Sequence, residues 1–111
     1  MLDSASSWPV VPVELSEVAQ REAFDAAVRY EEERPGRGLR FLAAISGAAA
    51  NLEDFPHLGT QCFVESLSIE LRRVRLQRFP YFLYYLMGPD PFIIAVAHTR
   101  QDPFYFIDRL S

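Results

Sequence analysis

The sequence contains no lysine, a single cysteine and no apolar run long enough to span a membrane. Cys62 alone can form neither an intramolecular disulfide nor a thiolate metal cluster. The first residues lack the basic start and the apolar stretch of a signal peptide. All eleven basic residues are arginines and the formal net charge is -4, which disfavours general affinity for the phosphates of nucleic acid. We therefore expect a cytoplasmic protein without a cofactor or metal, without membrane contact and without direct sequence-specific binding to DNA.

The length and the apolar content of the chain predict one folded domain. A chain of 111 residues has the size of a single domain, and we expect residues 1–111 to form one. Half of the residues are hydrophobic and 14% are aromatic, which excludes disorder as the main state. Residues 1–7 are small and polar, and we expect them to be disordered.

The first half of the chain predicts one strand and two helices. Prolines within residues 8–14 suit an edge strand, because proline cannot donate a hydrogen bond to a neighbouring strand. Ser16 has the position of an N-cap, and alanines at helical spacing predict a first helix that ends at residues 34–36. An apolar stripe predicts a second helix over residues 38–55. Since the break between them is short, the two helices should form an αα-hairpin.

The second half of the chain predicts strands over residues 71–77, 81–87 and 92–98, with a short helical tail over residues 104–110. Residues 59–68 form a long loop, a kind of segment that is often functional or mobile, and we make no prediction of whether it is ordered. The predicted fold is α+β: an N-terminal edge strand, then an αα-hairpin packed on a mostly antiparallel sheet, in the order β-α-α-β-β-β, and then the helical tail.

Several motifs together resemble one known superfamily. They are the junction between the helices at residues 30–42 (YEEERPG, then GLRFL after Arg37), the strand segment 72–85 (RRV, then RFPY and LYY) and the segment 98–103 (HTRQDP). In this order, from Val11 to Asp108, the chain resembles the ParE/RelE toxin superfamily, and more closely its ParE-like members. The resemblance implies the same α+β fold.

The resemblance also implies partners. Members of the superfamily are toxins of type II toxin–antitoxin modules, and each is held inactive by an antitoxin whose C-terminal segment wraps around it. ParE-like branches inhibit DNA gyrase, whereas others cleave mRNA on the ribosome. We therefore expect a cognate antitoxin as partner and DNA gyrase or the ribosome as target. A catalytically silent member, which acts only in antitoxin binding and operon autoregulation, is a further alternative.

The residues favour the gyrase branch over the ribonuclease branch. At the position where the ribonucleases carry an arginine in a strand motif, this chain has Phe82. At the position of their C-terminal tyrosine, it has Phe106. Cleavage of RNA requires general acid–base groups, which contribute about 10²–10⁴-fold to the rate. If the chain is a ribonuclease, the resemblance and the residue chemistry give a catalytic set consisting of Arg73, Arg75, His98, Arg100 and Tyr105. We lean toward a toxin that is not an enzyme, in which His98 caps a strand end.

Two sets of residues are candidates for contacts with partners. The target-binding set is Arg72, Arg73, Arg75, Arg78 and Arg100, in which Arg73, Arg75 and Arg100 would share a concave face. The antitoxin-binding set is Phe79, Tyr81, Tyr85, Phe104 and Tyr105, since aromatic side chains are efficient anchors. One alternative is that the arginines form a solvated face paired with Glu65 and Glu70 or with acidic helix residues. A second is that Asp102 holds Arg100 in a local contact, and a third is that most of the aromatic residues belong to the core.

Overall fold

The computed structural model describes residues 13–65, 67–102 and 105–110. Its elements are β1 (Glu14–Leu15), α1 (Glu17–Glu33), α2 (Arg37–Asp54), β2 (Thr60–Cys62), β3 (Leu71–Arg75), β4 (Tyr81–Leu86), β5 (Phe92–His98) and a 3₁₀ turn (Ile107–Leu110). The predicted α+β fold, with a helical hairpin on a mostly antiparallel sheet, is confirmed. The structure has one strand more than predicted, and the order of its elements is β-α-α-β-β-β-β.

The added strand, β2, lies within residues 59–68, the long loop for which we make no prediction of order. Of the strand predicted over residues 8–14, only Glu14, its last residue, is part of β1. Residues 1–12 lie outside the described residues, so the disorder expected for residues 1–7 stays a prediction. The predicted helical tail is a 3₁₀ turn over its last residues, and Phe104 lies outside the described part of the chain.

Local capping hydrogen bonds determine where the two helices of the hairpin begin. The Ser16 side chain accepts a hydrogen bond from the Ala19 N–H at 3.1 Å, as an N-cap does. Gly36 has a φ of 88°, a conformation that glycine adopts without strain, and it leads directly into α2. The carboxylate of Glu31 accepts hydrogen bonds from the N–H groups of Gly36 and Gly38 at 2.8 and 3.1 Å. An acidic side chain of α1 therefore caps the start of α2 and fixes the turn.

The five strands form one sheet in the order β1-β5-β4-β3-β2. β1 is parallel to β5, and the other pairs are antiparallel. β5 is apolar on both faces because both are covered: Ile93 and Val96 belong to the core beneath the helices, and Ile94 and Ala97 belong to a cluster on the opposite face. The pairing of β4 with β5 shifts between Tyr84 and Tyr85, where the register passes from Ala95 to Ile93.

Each face of the sheet has its own apolar core. On one face, Phe41 and Leu52 of the helices pack with Leu83 and Ile93 of the strands, and all four are buried. On the other face a smaller cluster gathers the buried residues Leu71, Tyr84, Ile94, Ala95, Ala97 and Phe106. The C-terminal segment therefore covers part of the face opposite the helices. None of the helices in the described residues has the length and apolar character needed to cross a membrane.

Candidate functional site

Arg73 lies on the face of the sheet that is turned away from the helices. Its Nη1 donates a hydrogen bond to the Tyr84 hydroxyl at 3.2 Å, and its Cζ lies 4.2 Å from the centre of the Phe82 ring. The register pairs Arg73 with Tyr84 and Arg75 with Phe82, so both arginines belong to one face. The alternation read from the sequence therefore agrees with the structure at these two positions.

Arg72 has a structural environment. Its Nη1 donates hydrogen bonds to the carbonyl oxygens of Gly59 at 2.6 Å and His57 at 3.2 Å, and its Nε pairs with Glu70. These contacts tie the loop that precedes β2 to the edge of the sheet. The alternative in which the arginines pair with Glu70 therefore holds for Arg72, and its role in target binding stays a prediction.

The remaining two predicted arginines lie in turns. Arg78 is in the β3–β4 turn with a φ of 71° and an exposed side chain. Arg100 is exposed in the turn after β5, and its N–H donates a hydrogen bond to His98 Nδ1 at 3.1 Å. The five arginines of the predicted target-binding set are thus divided among a sheet face, a sheet edge and two turns. Their role in binding a target stays a prediction.

Two of them, Arg75 at the last position of β3 and Arg78 in the following turn, also border a cleft that the sequence did not reveal. This cleft, which we call the arginine cleft, lies between α2 and the β3–β4 segment and has a volume of about 840 Å³. Its lining is Arg34, Arg37, Arg40, Ala43, Ala44, Gly47, Ala48, Asn51, Leu58, Val74, Arg75, Leu76, Gln77, Arg78 and Phe79. Among the described residues that form it, five are arginines and none is acidic.

Arg37 is the most constrained of these arginines. Its Cζ lies 5.0 Å from the centre of the Tyr30 ring and 5.8 Å from that of Phe79, so two aromatic rings hold the guanidinium in place. Its Nε is buried and has no hydrogen-bond partner among the described residues. The sequence carries only part of this cluster as a pattern: Arg37 and Arg40 are three residues apart on α2, a spacing that makes their side chains neighbours, whereas Arg34 lies in the turn before that helix.

His98 lies at the end of β5. Its Nδ1 accepts the Arg100 N–H, and its ring packs edge-on against Tyr81 with the ring centres 5.2 Å apart. The backbone N–H of His98 donates a hydrogen bond to the Gln101 side chain at 3.1 Å. These contacts correspond to the predicted capping role, since His98 orders the turn that follows the strand.

Tyr105 and Arg109 attach the C-terminal segment to α1 through Glu22. The Tyr105 hydroxyl donates a hydrogen bond to Glu22 Oε2 at 2.6 Å, and Arg109 Nη2 lies 2.9 Å from the same oxygen. Glu22 Oε1 also accepts the Val96 N–H at 3.0 Å. We call Glu22, Tyr105 and Arg109 the C-terminal latch.

The latch changes the acidity of Tyr105. Burial, and then the hydrogen bond to Glu22, raise the pKa of Tyr105 far above its ordinary value of 10.0. A tyrosine whose proton is held by a carboxylate in this way is a poor proton donor or acceptor near neutral pH.

The raised pKa predicts a loss of stability in alkali. In the unfolded chain Tyr105 ionises at about pH 10, whereas in the folded chain it keeps its proton, so its contribution to stability is present below that pH and falls above it. We expect the free energy of unfolding of the Tyr105→Phe protein to fall less steeply above about pH 10 than that of the wild type. Urea unfolding across this pH range measures the difference, and two parallel curves would contradict it.

The predicted antitoxin-binding aromatics divide between core and surface. Phe79, Tyr81 and Tyr85 are 7%, 6% and 0% exposed. The Tyr85 hydroxyl donates a hydrogen bond to the Pro56 carbonyl oxygen at 2.7 Å and accepts the Gly59 N–H at 3.0 Å, so it anchors the end of the helical hairpin. Tyr105 is half-buried in the latch, and Phe104 lies outside the described residues. An antitoxin contact for this set stays a prediction, and contact with Tyr85 would require the core to open.

The described residues contain no group of three or more histidine, cysteine, aspartate or glutamate side chains that could hold a metal ion. Burial raises the pKa of the Cys62 thiol above its ordinary value, which disfavours the reactive thiolate.

Comparisons with known proteins agree with this fold. A family model described as "ParE toxin of type II toxin-antitoxin system, parDE" matches residues 13–103. Solved structures that match include one described as "Chromosomal ParDE TA system from P. aeruginosa", with a TM-score of 0.63 and 16% identity over 78% of this chain and 92% of that chain. The comparison with curated proteins gave no match. The chain belongs to the ParE toxin family of type II toxin-antitoxin systems.

Proposed function

We propose that this protein is the toxin of a type II toxin–antitoxin module, that it inhibits bacterial growth by binding DNA gyrase in the cytoplasm, and that a cognate antitoxin neutralises it. The observation that carries the proposal is the family match over residues 13–103. Inhibition through binding requires a complementary surface on the toxin, whereas cleavage of RNA requires groups that transfer protons.

The surroundings of the possible catalytic residues favour binding over cleavage. His98 Nδ1 is occupied by a backbone N–H, and the Tyr105 hydroxyl is held by Glu22 with its pKa raised. Phe82, at the position where the resemblance calls for an arginine, lies under the Arg73 guanidinium. The candidate residues are therefore engaged in contacts that order the strand end and the C-terminal segment.

The proposed surface for the target is centred on Arg73 and Arg75, which share one face of the sheet. Arg75 is exposed, and Arg73 is partly buried against Phe82. Exposed Arg78 and Arg100 extend the set, because guanidinium groups bind carboxylates in a bidentate manner. Of the proposed antitoxin contacts, half-buried Tyr105 is the one that the structure leaves partly accessible.

Expression of the chain in bacteria, with and without its antitoxin, tests the proposal. We expect the chain alone to stop growth and to leave plasmid DNA less negatively supercoiled with intact mRNA, and coexpressed antitoxin to restore growth. The double variant Arg73→Ala with Arg75→Ala should relieve the arrest. Arg21→Gln, a change of an exposed arginine on α1, serves as the control and should not. Normal growth with soluble wild-type protein would refute a toxin, and cleaved mRNA would refute the gyrase route.

A further inference from the structure

Two aromatic side chains of β4 hold the guanidinium of Arg73 in place. Its Cζ lies 4.2 Å from the centre of the Phe82 ring, and its Nη1 donates a hydrogen bond to the Tyr84 hydroxyl at 3.2 Å. Phe82 and Tyr84 are two residues apart on one strand, so both side chains stand on the same face of the sheet. The ring and the hydroxyl together restrict the rotation of the guanidinium.

The aromatic residues that hold Arg73 are themselves fixed. Tyr84 is 2% exposed, and its ring packs on the fully buried ring of Phe106 with the ring centres 4.6 Å apart. The rings of Phe82 and Tyr84 meet edge to face, with their centres 6.1 Å apart. A side chain that rigid neighbours already hold loses little freedom when a ligand binds, so more of the contact energy appears as affinity. Arg73 is therefore ordered before any partner arrives.

The hydrogen bond to Tyr84 leaves one edge of the Arg73 guanidinium free. A guanidinium carries five N–H donors in a planar fork, and the bond to Tyr84 uses Nη1. Among the described residues, neither Nε nor Nη2 of Arg73 has a hydrogen-bond or ion-pair partner. Adjacent nitrogens of this kind hold a carboxylate with two parallel hydrogen bonds. The free edge therefore suits a carboxylate.

Phe82 makes the site less suitable for a polyanion. At this position the resemblance places an arginine in the ribonuclease branch, and a second guanidinium there would add positive charge beside Arg73. Binding of nucleic acid requires several cationic side chains that neutralise phosphates. Phenylalanine adds no charge, and the net charge of -4 on the chain repels a polyanion. The site therefore favours a single carboxylate of a protein over the phosphates of RNA.

We propose that Phe82 and Tyr84 are positioning residues, which present the Nε–Nη2 edge of Arg73 to one aspartate or glutamate of the target protein. Both act through Arg73, which makes the contact with the target. The inference rests on the proposed function, and it adds the chemical class of the ligand and the residues that order its receptor.

A double-mutant cycle with purified DNA gyrase tests the proposal. Surface plasmon resonance measures the affinity of the wild type, of Phe82→Leu, Tyr84→Phe and Arg73→Ala, and of each aromatic change combined with Arg73→Ala. We expect Phe82→Leu and Tyr84→Phe each to weaken binding about fivefold. Neither change should have a further effect where residue 73 is already alanine. Equal losses with and without Arg73 would overturn the proposal, since the aromatic residues would then act by themselves.

Two further variants separate geometry from charge and from general damage to the sheet. Arg73→Lys keeps the charge but lacks the fork, so it should bind gyrase about tenfold more weakly than the wild type. Phe92→Leu changes a phenylalanine at the start of β5 that is 38% exposed, and it should leave the affinity unchanged. Wild-type affinity of the Arg73→Lys protein would contradict the proposal, as would equal weakening by Phe92→Leu and Phe82→Leu. Circular dichroism checks each fold, and Phe82→Leu decides the outcome if the Tyr84→Phe protein is unfolded.

NMR of the free chain measures the ordering of Arg73 without a target. We expect the guanidinium of Arg73 to rotate more slowly than that of Arg21, which is exposed on α1, and Tyr84→Phe to speed this rotation. A chain that binds gyrase but has a freely rotating Arg73 would overturn this proposal alone. A chain with an ordered Arg73 that does not bind gyrase would refute the proposed function, and the assigned ligand with it. An RNA oligonucleotide that binds more tightly than gyrase and gives the same cycle would assign the free edge to phosphate instead.

Discussion

Replacement of Glu22 by alanine is expected to lower the free energy of unfolding by about 2–3 kcal/mol. Glu22 accepts hydrogen bonds from the Val96 N–H, the Tyr105 hydroxyl and the Arg109 guanidinium, and its side chain is 20% exposed. Its loss removes the acceptor of the Tyr105 hydroxyl and of the Val96 N–H, and it leaves Arg109 with the Ile94 carbonyl oxygen as an acceptor. An unsatisfied polar group in such a place costs more than the missing hydrogen bond itself.

The effect should be largest in the C-terminal segment. Phe106 is fully buried against Tyr84, with ring centres 4.6 Å apart, and the latch holds it there. We expect hydrogen exchange of residues 105–110 to accelerate in the Glu22→Ala protein, while urea unfolding reports the change in stability. Asp25→Ala, at an exposed position of the same helix, is the control and should change stability by less than about 0.5 kcal/mol. Equal effects of the two variants would contradict the latch.

Gly38→Ala should destabilise the protein by about 1–3 kcal/mol, because it places a methyl group where the helices already touch. A Cβ at position 38 would collide with the Ala27 carbonyl oxygen and would lie 3.1 Å from both Cβ and Oε1 of Glu31. The backbone of α1 cannot retreat without separating the hairpin. The same change would disturb the hydrogen bond by which Glu31 caps α2.

Gly47→Ala is the matched comparison on the same helix. A Cβ at position 47 meets nothing within 4 Å, and the residue is exposed. Alanine in a helix interior is more favourable than glycine by about 0.8–1.0 kcal/mol, so this variant should be more stable than the wild type. Urea unfolding should therefore give changes of opposite sign for the two variants. Changes of the same sign would mean that the close approach of the helices does not determine the loss of stability in the Gly38→Ala protein.

The sequence was sufficient for elements whose pattern is local. Ser16 predicted the start of α1 because its capping hydrogen bond reaches only to Ala19. The alternation along residues 71–77 predicted that Arg73 and Arg75 share a face, because side-chain direction in a strand has a period of two. Helices and hairpin strands of this kind are specified by residues that lie close together in the chain.

The features that the sequence did not reveal depend on contacts between distant segments. β2 is three residues long and is defined by its pairing with β3, so it carries too few residues for a pattern. The arginine cleft joins residues 34–40 with residues 75–78, which meet only after the hairpin packs on the sheet. The contacts of Arg72 with the carbonyl groups of His57 and Gly59 likewise follow from the path of a loop.

A titration of purified DNA gyrase with the purified chain tests most directly the proposal that this ParE family member acts by binding its target. We expect supercoiling activity to fall as the chain is added and the inhibition to saturate with the amount of gyrase. We also expect mRNA on ribosomes to stay intact at the same concentrations of the chain. Undiminished supercoiling together with cleaved mRNA would refute the proposal.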